Sequence, residues 1–176
     1  IAQGATTGLK VGANIIAMII GLIALIALFN YCLGLIGAFL VQALHVPAQI
    51  GVLDVQNLSL SGLLGLCFSG FAFILGVPAS EIFTVGSLMG EKLVFNEFIA
   101  YMHMTSLDTP LSPKALIIAS FALCGFANFG SIAMQIGGIG ELAPERRKDL
   151  AKLGYKALVA GTLTSYISAA IAGILL

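Results

Sequence analysis

The chain has 176 residues, of which 59% are hydrophobic and 9% are charged, whereas soluble domains average roughly 45–50% apolar and about 25% charged residues. So few charges cannot cover the surface of a water-soluble fold of this size, and a formal net charge of zero excludes the basic surface that nucleic-acid binding requires. The composition therefore predicts an all-α integral membrane protein, with lipid as its solvent.

The first segment, residues 1–50, contains 34 residues without a formal charge between Lys10 and His45. As one helix this stretch would extend about 51 Å, at roughly 1.5 Å per residue. We expect either one strongly tilted transmembrane helix or a span followed by an interfacial turn near Asn30. Residues 51–78 begin with polar side chains and end in a Gly-Val-Pro sequence, which predicts a loop and a short or interfacial helix.

Residues 79–108 are interrupted by glycines and polar side chains and divide into two pieces, 81–94 and 97–106. As helices these pieces would measure about 21 Å and 15 Å, roughly half of a ~30 Å hydrocarbon layer each. Two half-length helices joined by a polar dipeptide predict a re-entrant hairpin whose tip is buried in protein or lines a wet cavity. Ser80 is the expected N-cap of the first piece.

Residues 109–141 form the next span, and Gly125 and Gly130 lie near its middle, where they allow the helix to unwind. This pattern predicts a discontinuous transmembrane helix. Asn128 and Ser131 stand three residues apart, so they would share a helix face or, in a break, one wall of a cavity. Unwound half-helix ends build the substrate sites of many transporters, but the two side chains could equally serve only to hydrogen-bond neighbouring helices.

Residues 142–176 complete the chain with a charge-dense connection and a final transmembrane helix. We expect a basic loop between Glu141 and Lys156, on the cytoplasmic side by the positive-inside tendency. The final helix should start near Tyr155. It carries small residues at four-residue spacing, which predicts close helix packing: Gly161, Ser165, Ala169 and Gly173.

Glu97 is the residue that points most directly to a function. It lies in an apolar sequence with no basic side chain within four residues, and a charge at mid-membrane costs roughly 2.5–3.5 kcal/mol. Such carboxylates usually face a substrate or an ion path, although a protonated packing carboxyl is the simpler alternative. The residues alone thus leave two functional classes open: a transporter of a polar solute, or a channel-like or structural helix bundle in which Glu97 lies on an ion or proton path.

Enzyme chemistry has no visible basis in the sequence. We find no zinc signature, no nucleophile elbow and no phosphate-binding glycine loop. An intramembrane hydrolase that uses Ser131 as nucleophile lacks a base at a fixed spacing. We therefore predict no enzymatic activity, no metal centre and no bound cofactor.

Two stretches, residues 95–101 (FNEFIAY) and 121–132 (FALCGFANFGSI), closely resemble the concentrative nucleoside transporters. The resemblance covers essentially the whole chain and corresponds to the carboxyl-terminal half of the family's pattern. It implies one half of an inverted-repeat transporter, multi-pass in a bacterial inner or plasma membrane, that imports nucleosides by alternating access with Na+ or H+ as the coupling cation.

The resemblance also implies roles for particular residues. Glu97 matches the acid at the hairpin tip that bonds the ribose hydroxyls, Asn128 and Ser131 match residues that contact the ribose, and Phe126 matches an aromatic side chain of the base pocket. The first helix matches a scaffold element that contributes to a homotrimer. Most cation ligands of the family belong to its other half, so no metal ligand is expected here. Gly130 stands where many relatives have Ser.

Overall fold

The computed structural model describes residues 2–50 and 53–176, and the described part is almost entirely helical. The boundary that we expected between residues 50 and 51 adjoins Gly51 and Val52, which lie outside the described residues. The helices and strands, in chain order, are α1 (Ala2–Ala43), β1 (Gln49–Ile50), β2 (Leu53–Asp54), α2 (Leu60–Ile74), α3 (Ile82–Val94), α4 (Glu97–Thr105), α5 (Pro113–Leu123), α6 (Phe129–Leu142), a 3-10 turn (Pro144–Arg146) and α7 (Arg147–Ile174).

Helix α1 is one continuous helix that passes through Asn30 without a turn. Its 42 residues would extend about 63 Å at 1.5 Å per residue. Instead of starting a turn, Asn30 accepts a hydrogen bond from the backbone N–H of Leu60 through its side-chain oxygen, at 2.8 Å. It therefore satisfies one of the unpaired N–H groups at the start of α2.

The two short strands after α1 are the one departure from an all-helical fold among the described residues. They pair antiparallel, with Gln49 opposite Asp54 and Ile50 opposite Leu53. Asn57 donates its side-chain amide and its backbone N–H to the exposed Asp54 carboxylate, and these bonds hold the pKa of Asp54 below its usual value. These hydrogen bonds fix the turn that follows β2, before α2 begins.

Helices α2 and α3 cross at very short distance because small residues face each other along the contact. A Cβ added at Gly86 of α3 would lie 2.7 Å from the carbonyl oxygen of Gly65 and 2.7 Å from the backbone nitrogen of Ser69. A Cβ at Gly90 would lie 3.0 Å from the Ser61 carbonyl oxygen. Small residues four apart on each helix allow this approach, as is common between membrane helices.

The start of α3 differs from our expectation for Ser80. The helix begins at Ile82, and the residue before it is Glu81. The Glu81 carboxylate instead accepts hydrogen bonds from the backbone N–H and the hydroxyl of Ser112, both at 2.6 Å. Ser112 is the N-cap of α5, so Glu81 joins the base of the α3–α4 hairpin to the start of the next helix.

The predicted basic loop is mostly helical, because α6 continues to Leu142 and α7 already begins at Arg147. Near this turn Glu141 accepts a hydrogen bond from the Asn14 side chain of α1 at 2.9 Å, and Arg147 lies 3.6 Å from the same carboxylate. The far end of α6 is therefore attached to both α1 and α7.

A single apolar core joins α2, α3, α4, α5 and α7, while α1 packs beside it, mainly against α6. The small-residue row of α7 faces this core: Ala169 is fully buried, and a Cβ at Gly173 would meet the Leu75 carbonyl at 2.7 Å.

Two helical stretches, Gly4–Ala43 and Pro144–Ile174, are long and apolar enough to span a membrane. Most of the surface of α1 is exposed apolar side chain in this chain alone.

Candidate functional site

Two helix interruptions lie next to each other in the fold. The first separates α3 from α4 at residues 95 and 96, and the second separates α5 from α6 at residues 124–128. Both resumed helices are capped by an asparagine: Asn96 accepts a hydrogen bond from the Ile99 N–H at 2.9 Å, and Asn128 accepts one from the Ser131 N–H at 2.7 Å. Asparagine is a preferred N-cap because its side-chain oxygen satisfies an N–H group that the helix leaves unpaired.

Asn128 connects the two interruptions. Its side-chain nitrogen donates to Oε2 of Glu97 at 2.9 Å, while its side-chain oxygen also accepts from the Ser131 hydroxyl at 3.1 Å. This amide is 1% exposed, and its three polar contacts fix which end is nitrogen and which is oxygen. Glu97, Asn128 and Ser131 therefore form one hydrogen-bonded row, although 31 residues separate Glu97 from Asn128.

Glu97 occupies the first turn of α4, where the positive end of the helix dipole favours a carboxylate. Its side chain is partly buried, and Oε1 takes no hydrogen bond from another described residue. Asn128 thus holds one of the two carboxylate oxygens of Glu97.

Phe126, unlike Glu97, Asn128 and Ser131, is not part of the hydrogen-bonded row. It lies in the interruption and is 77% exposed, with no ring contact among the described residues. Together with Asn128 and Ser131 it lines a cavity of about 790 Å³ between the interrupted helix and α7, which is within the roughly 300–1,000 Å³ typical of ligand pockets. Glu97 does not line this cavity and joins the group only through Asn128.

No cluster of three or more His, Cys, Asp or Glu side chains within residues 2–50 and 53–176 is arranged to hold a metal ion. The polar groups of the site are carboxylate, amide and hydroxyl. Groups of these kinds are the ones that orient polar ligands in protein pockets.

The comparisons with known proteins identify the family. Residues 1–173 match the family described as Na+ dependent nucleoside transporter C-terminus. The chain belongs to this family. The resemblance noted in the sequence is therefore confirmed.

Among relatives in this family, the uncharacterized transporter YutK of Bacillus subtilis is 48% identical over 98% of this chain and 39% of that protein. The nucleoside permease NupC of Helicobacter pylori is 39% identical over 99% of this chain and 40% of that protein. The chain thus spans about two fifths of the length of these transporters.

The solved transporter CNTnw shows the same arrangement of helices. A double variant of CNTnw in an outward-facing state superimposes with a TM-score of 0.83 at 42% identity, over 98% of this chain and 41% of that one. In its inward-facing, substrate-bound state the TM-score is 0.69, at 43% identity and 98% coverage of this chain. The described fold is therefore that of the matching part of CNTnw, and it superimposes better on this outward-facing variant than on the inward-facing, substrate-bound state.

Sequence reasoning on this transporter chain missed Lys92, which lies five residues before Glu97. Lys92 is 2% exposed, and its ammonium donates to the Ala122 carbonyl at 2.9 Å and to the Ser165 hydroxyl at 3.3 Å. From the sequence, Lys92 is one of the polar side chains that interrupt residues 79–108. A lysine beside an intramembrane acid was the available signal, but its partners on α5 and α7 are distant in sequence.

Proposed function

We propose that this chain is the carboxyl-terminal half of a cation-coupled nucleoside importer that works by alternating access, and that Glu97, Asn128 and Ser131 bind the ribose while Phe126 lines the base pocket. The observation that carries the proposal is the hydrogen-bonded row in which Asn128 joins Glu97 to Ser131. A vicinal diol offers two adjacent O–H donors. The Glu97 oxygen that Asn128 leaves free and the Ser131 hydroxyl oxygen can accept them, whereas the Asn128 oxygen already accepts from the Ser131 N–H and hydroxyl.

Helix lengths support the placement of this row at mid-membrane. Helices α3 and α4 contain 13 and 9 residues, about 20 Å and 14 Å at 1.5 Å per residue, so neither crosses a bilayer alone. A re-entrant hairpin brings their junction, and hence Glu97, near the middle of the hydrocarbon layer. The interrupted helix α5–α6 brings Asn128 to the same depth, as in transporters built from discontinuous helices.

Alternating access is supported by the comparison with CNTnw. At nearly equal identity and coverage, this chain fits the outward-facing form better than the inward-facing, substrate-bound form. The matching region of CNTnw therefore changes its internal arrangement between the two states. We propose that this chain makes the same kind of change while the first helix serves as a scaffold in a homotrimer.

The coupling cation in this proposal is Na+ or H+. The family is described as Na+ dependent, and the resemblance assigns most cation ligands to the part of the transporter outside this chain. Accumulation of uridine against its gradient by the full-length protein in liposomes tests the transport assignment directly. Uptake that neither saturates nor concentrates uridine would favour a channel in which Glu97 lies on an ion path.

Glu97→Gln tests the ribose assignment. The variant keeps the size of the side chain but replaces one acceptor oxygen with a donor, so it should weaken binding of uridine more than binding of 2′-deoxyuridine. A hydrogen bond to a charged group contributes about 1.5–3 kcal/mol, or roughly tenfold to a hundredfold in affinity. Glu145→Gln is the matched control, because Glu145 is exposed in the 3-10 turn.

Equilibrium binding in detergent supplies the measurement, and the comparison of two proteins with two substrates separates a specific contact from general damage. Equal proportional losses for both nucleosides in a folded Glu97→Gln protein would place Glu97 away from the sugar. That result would favour the packing or ion-path alternative.

A further inference from the structure

Lys92 carries the most deeply buried charge of the described chain. It is 2% exposed and is the largest fully buried side chain. Burial of an ammonium is strongly unfavourable unless oxygen atoms surround it. The burial is complete within this half alone, so it depends on α3, α5 and α7 rather than on any other part of a transporter. Packing of the hydrophobic core therefore does not explain why this ammonium is buried.

The ammonium lies where two helices end. Lys92 belongs to the last turn of α3, and its Nζ donates at 2.9 Å to the carbonyl of Ala122, in the last turn of α5. The final carbonyls of a helix have no partner within the helix, and together they form the negative end of its dipole. Lys92 therefore stabilises the carboxyl ends of α3 and α5 with one tethered cation.

Two further carbonyls at the end of α5, those of Ser120 and Cys124, also accept hydrogen bonds. The Ser120 carbonyl accepts from the backbone N–H of Cys124 at 3.1 Å and from the Tyr101 hydroxyl at 2.6 Å. The Cys124 carbonyl accepts from the Ser165 hydroxyl at 2.7 Å, and the same Ser165 oxygen accepts from Lys92 at 3.3 Å. Lys92 and Ser165 thus act as one unit that fixes the start of the interruption.

This unit determines the path of the chain towards the sugar-binding row. Directly after Cys124, Gly125 has φ 129°, a conformation available almost only to glycine. A Cβ at Gly125 would lie 2.8 Å from the Ser165 hydroxyl oxygen. Asn128 follows three residues later and bonds Glu97.

We propose that Lys92 is a positioning residue of the nucleoside site: its ammonium closes the carbonyl end of the interrupted helix and thereby holds Asn128 and Glu97 in the geometry that binds the ribose. This inference rests on the proposed function. Carbonyl and hydroxyl oxygens at an unwound helix end are also the groups that hold Na+ in many transporters. In this half a covalently tethered cation occupies them.

The first test compares Lys92→Met with Lys152→Met in the full-length protein. Both substitutions remove a lysine charge, but Lys152 is exposed on α7. We expect Lys92→Met to weaken uridine binding by about tenfold or more, because the loss of a buried charged bond costs about 1.5–3 kcal/mol. Lys152→Met should stay within about twofold of the parent, as surface substitutions usually do.

The second test is chemical rescue, which also serves if Lys92→Met does not fold. Lys92→Ala removes three methylenes and the amine, a volume that propylammonium can refill with its N–H donors in the same place. Propylammonium should restore uridine binding in a saturable manner, whereas tetramethylammonium, which has no N–H donor, should not. Restoration by neither cation, or equally by both, would overturn the proposal.

The ratio of affinities for uridine and 2′-deoxyuridine separates positioning from general stabilisation. If Lys92 acts through Glu97 and Asn128, Lys92→Met lowers the preference for uridine, and propylammonium restores that preference in Lys92→Ala. An unchanged ratio with both affinities lowered equally would overturn the positioning role. Absence of saturable uridine binding by the parent protein would instead refute the proposed function. In that case the capping contact is still tested by the thermal unfolding midpoint of Lys92→Ala without nucleoside, which propylammonium should raise.

Discussion

Asn128 has two separable tasks in this structure, and substitutions can divide them. Its side-chain oxygen caps α6, and its nitrogen donates to Glu97 at 2.9 Å. Asn128→Ser keeps a good cap, because serine and asparagine are about equally effective at this position, but a serine hydroxyl is too short to replace the bond to Glu97. Asn128→Ala removes both interactions.

The structure gives the expected magnitudes. Loss of an N-cap costs about 1 kcal/mol, and loss of a bond to a charged group costs about 1.5–3 kcal/mol. Asn128→Ser should therefore destabilise the folded state by roughly 1.5–3 kcal/mol and Asn128→Ala by roughly 2.5–4 kcal/mol. The difference between the two variants measures the cap. The 1% exposure of Asn128 shields both hydrogen bonds from water in the intact protein.

The assay is equilibrium unfolding of the full-length protein in mixed detergent micelles, without nucleoside. A double-mutant cycle with Glu97→Ala isolates the bond between the two side chains, since the small cavity left by serine occurs in both backgrounds and cancels. We expect a coupling energy of about 1.5–3 kcal/mol. A coupling below about 0.5 kcal/mol, the range of additive pairs, would refute the reasoning that the row through Asn128 is a stabilised unit.

Three further predictions concern packing, assembly and completeness. Gly86→Ala should destabilise the fold by about 1–3 kcal/mol, because the new Cβ meets the backbone of α2 at 2.7 Å. Gly70→Ala is the control and should not destabilise the fold, because a Cβ at Gly70 has no atom within 4 Å. Equal unfolding midpoints for the two variants would contradict the close crossing of α2 and α3. Engineered cysteines along residues 15–40 of α1 should give trimeric crosslinks between copies, and dimers alone would count against the scaffold role. The 176-residue chain alone should not accumulate uridine in liposomes with a Na+ or H+ gradient, and ion-driven accumulation would contradict the half-transporter proposal.

Much of the local structure could be predicted because it depends on residues that are close in sequence. The break between α5 and α6 follows from Gly125 and from Asn128, a strong N-cap with its Ser131 partner three residues later. The hairpin helices follow from the Asn-Glu pair at residues 96 and 97. The charges between Glu141 and Lys156 predicted the secondary structure less well. Most of these basic residues lie in the first turns of α7 rather than in a loop, because lysine and arginine are also good helix formers.

The amino-acid sequence by itself determined that this is a membrane protein with interrupted helices and that Glu97, Asn128 and Ser131 are its candidate ligand-binding residues, since intramembrane polarity is costly and therefore conspicuous. Only the tertiary structure decided that Asn128 bonds Glu97 across 31 residues. It also decided that the Glu81 carboxylate bonds Ser112 at the start of α5. Finally, it decided that the Lys92 ammonium donates to the Ala122 carbonyl and the Ser165 hydroxyl. These contacts depend on how separate helices pack, and periodicity along one helix carries no information about which distant helix its polar side chains will meet.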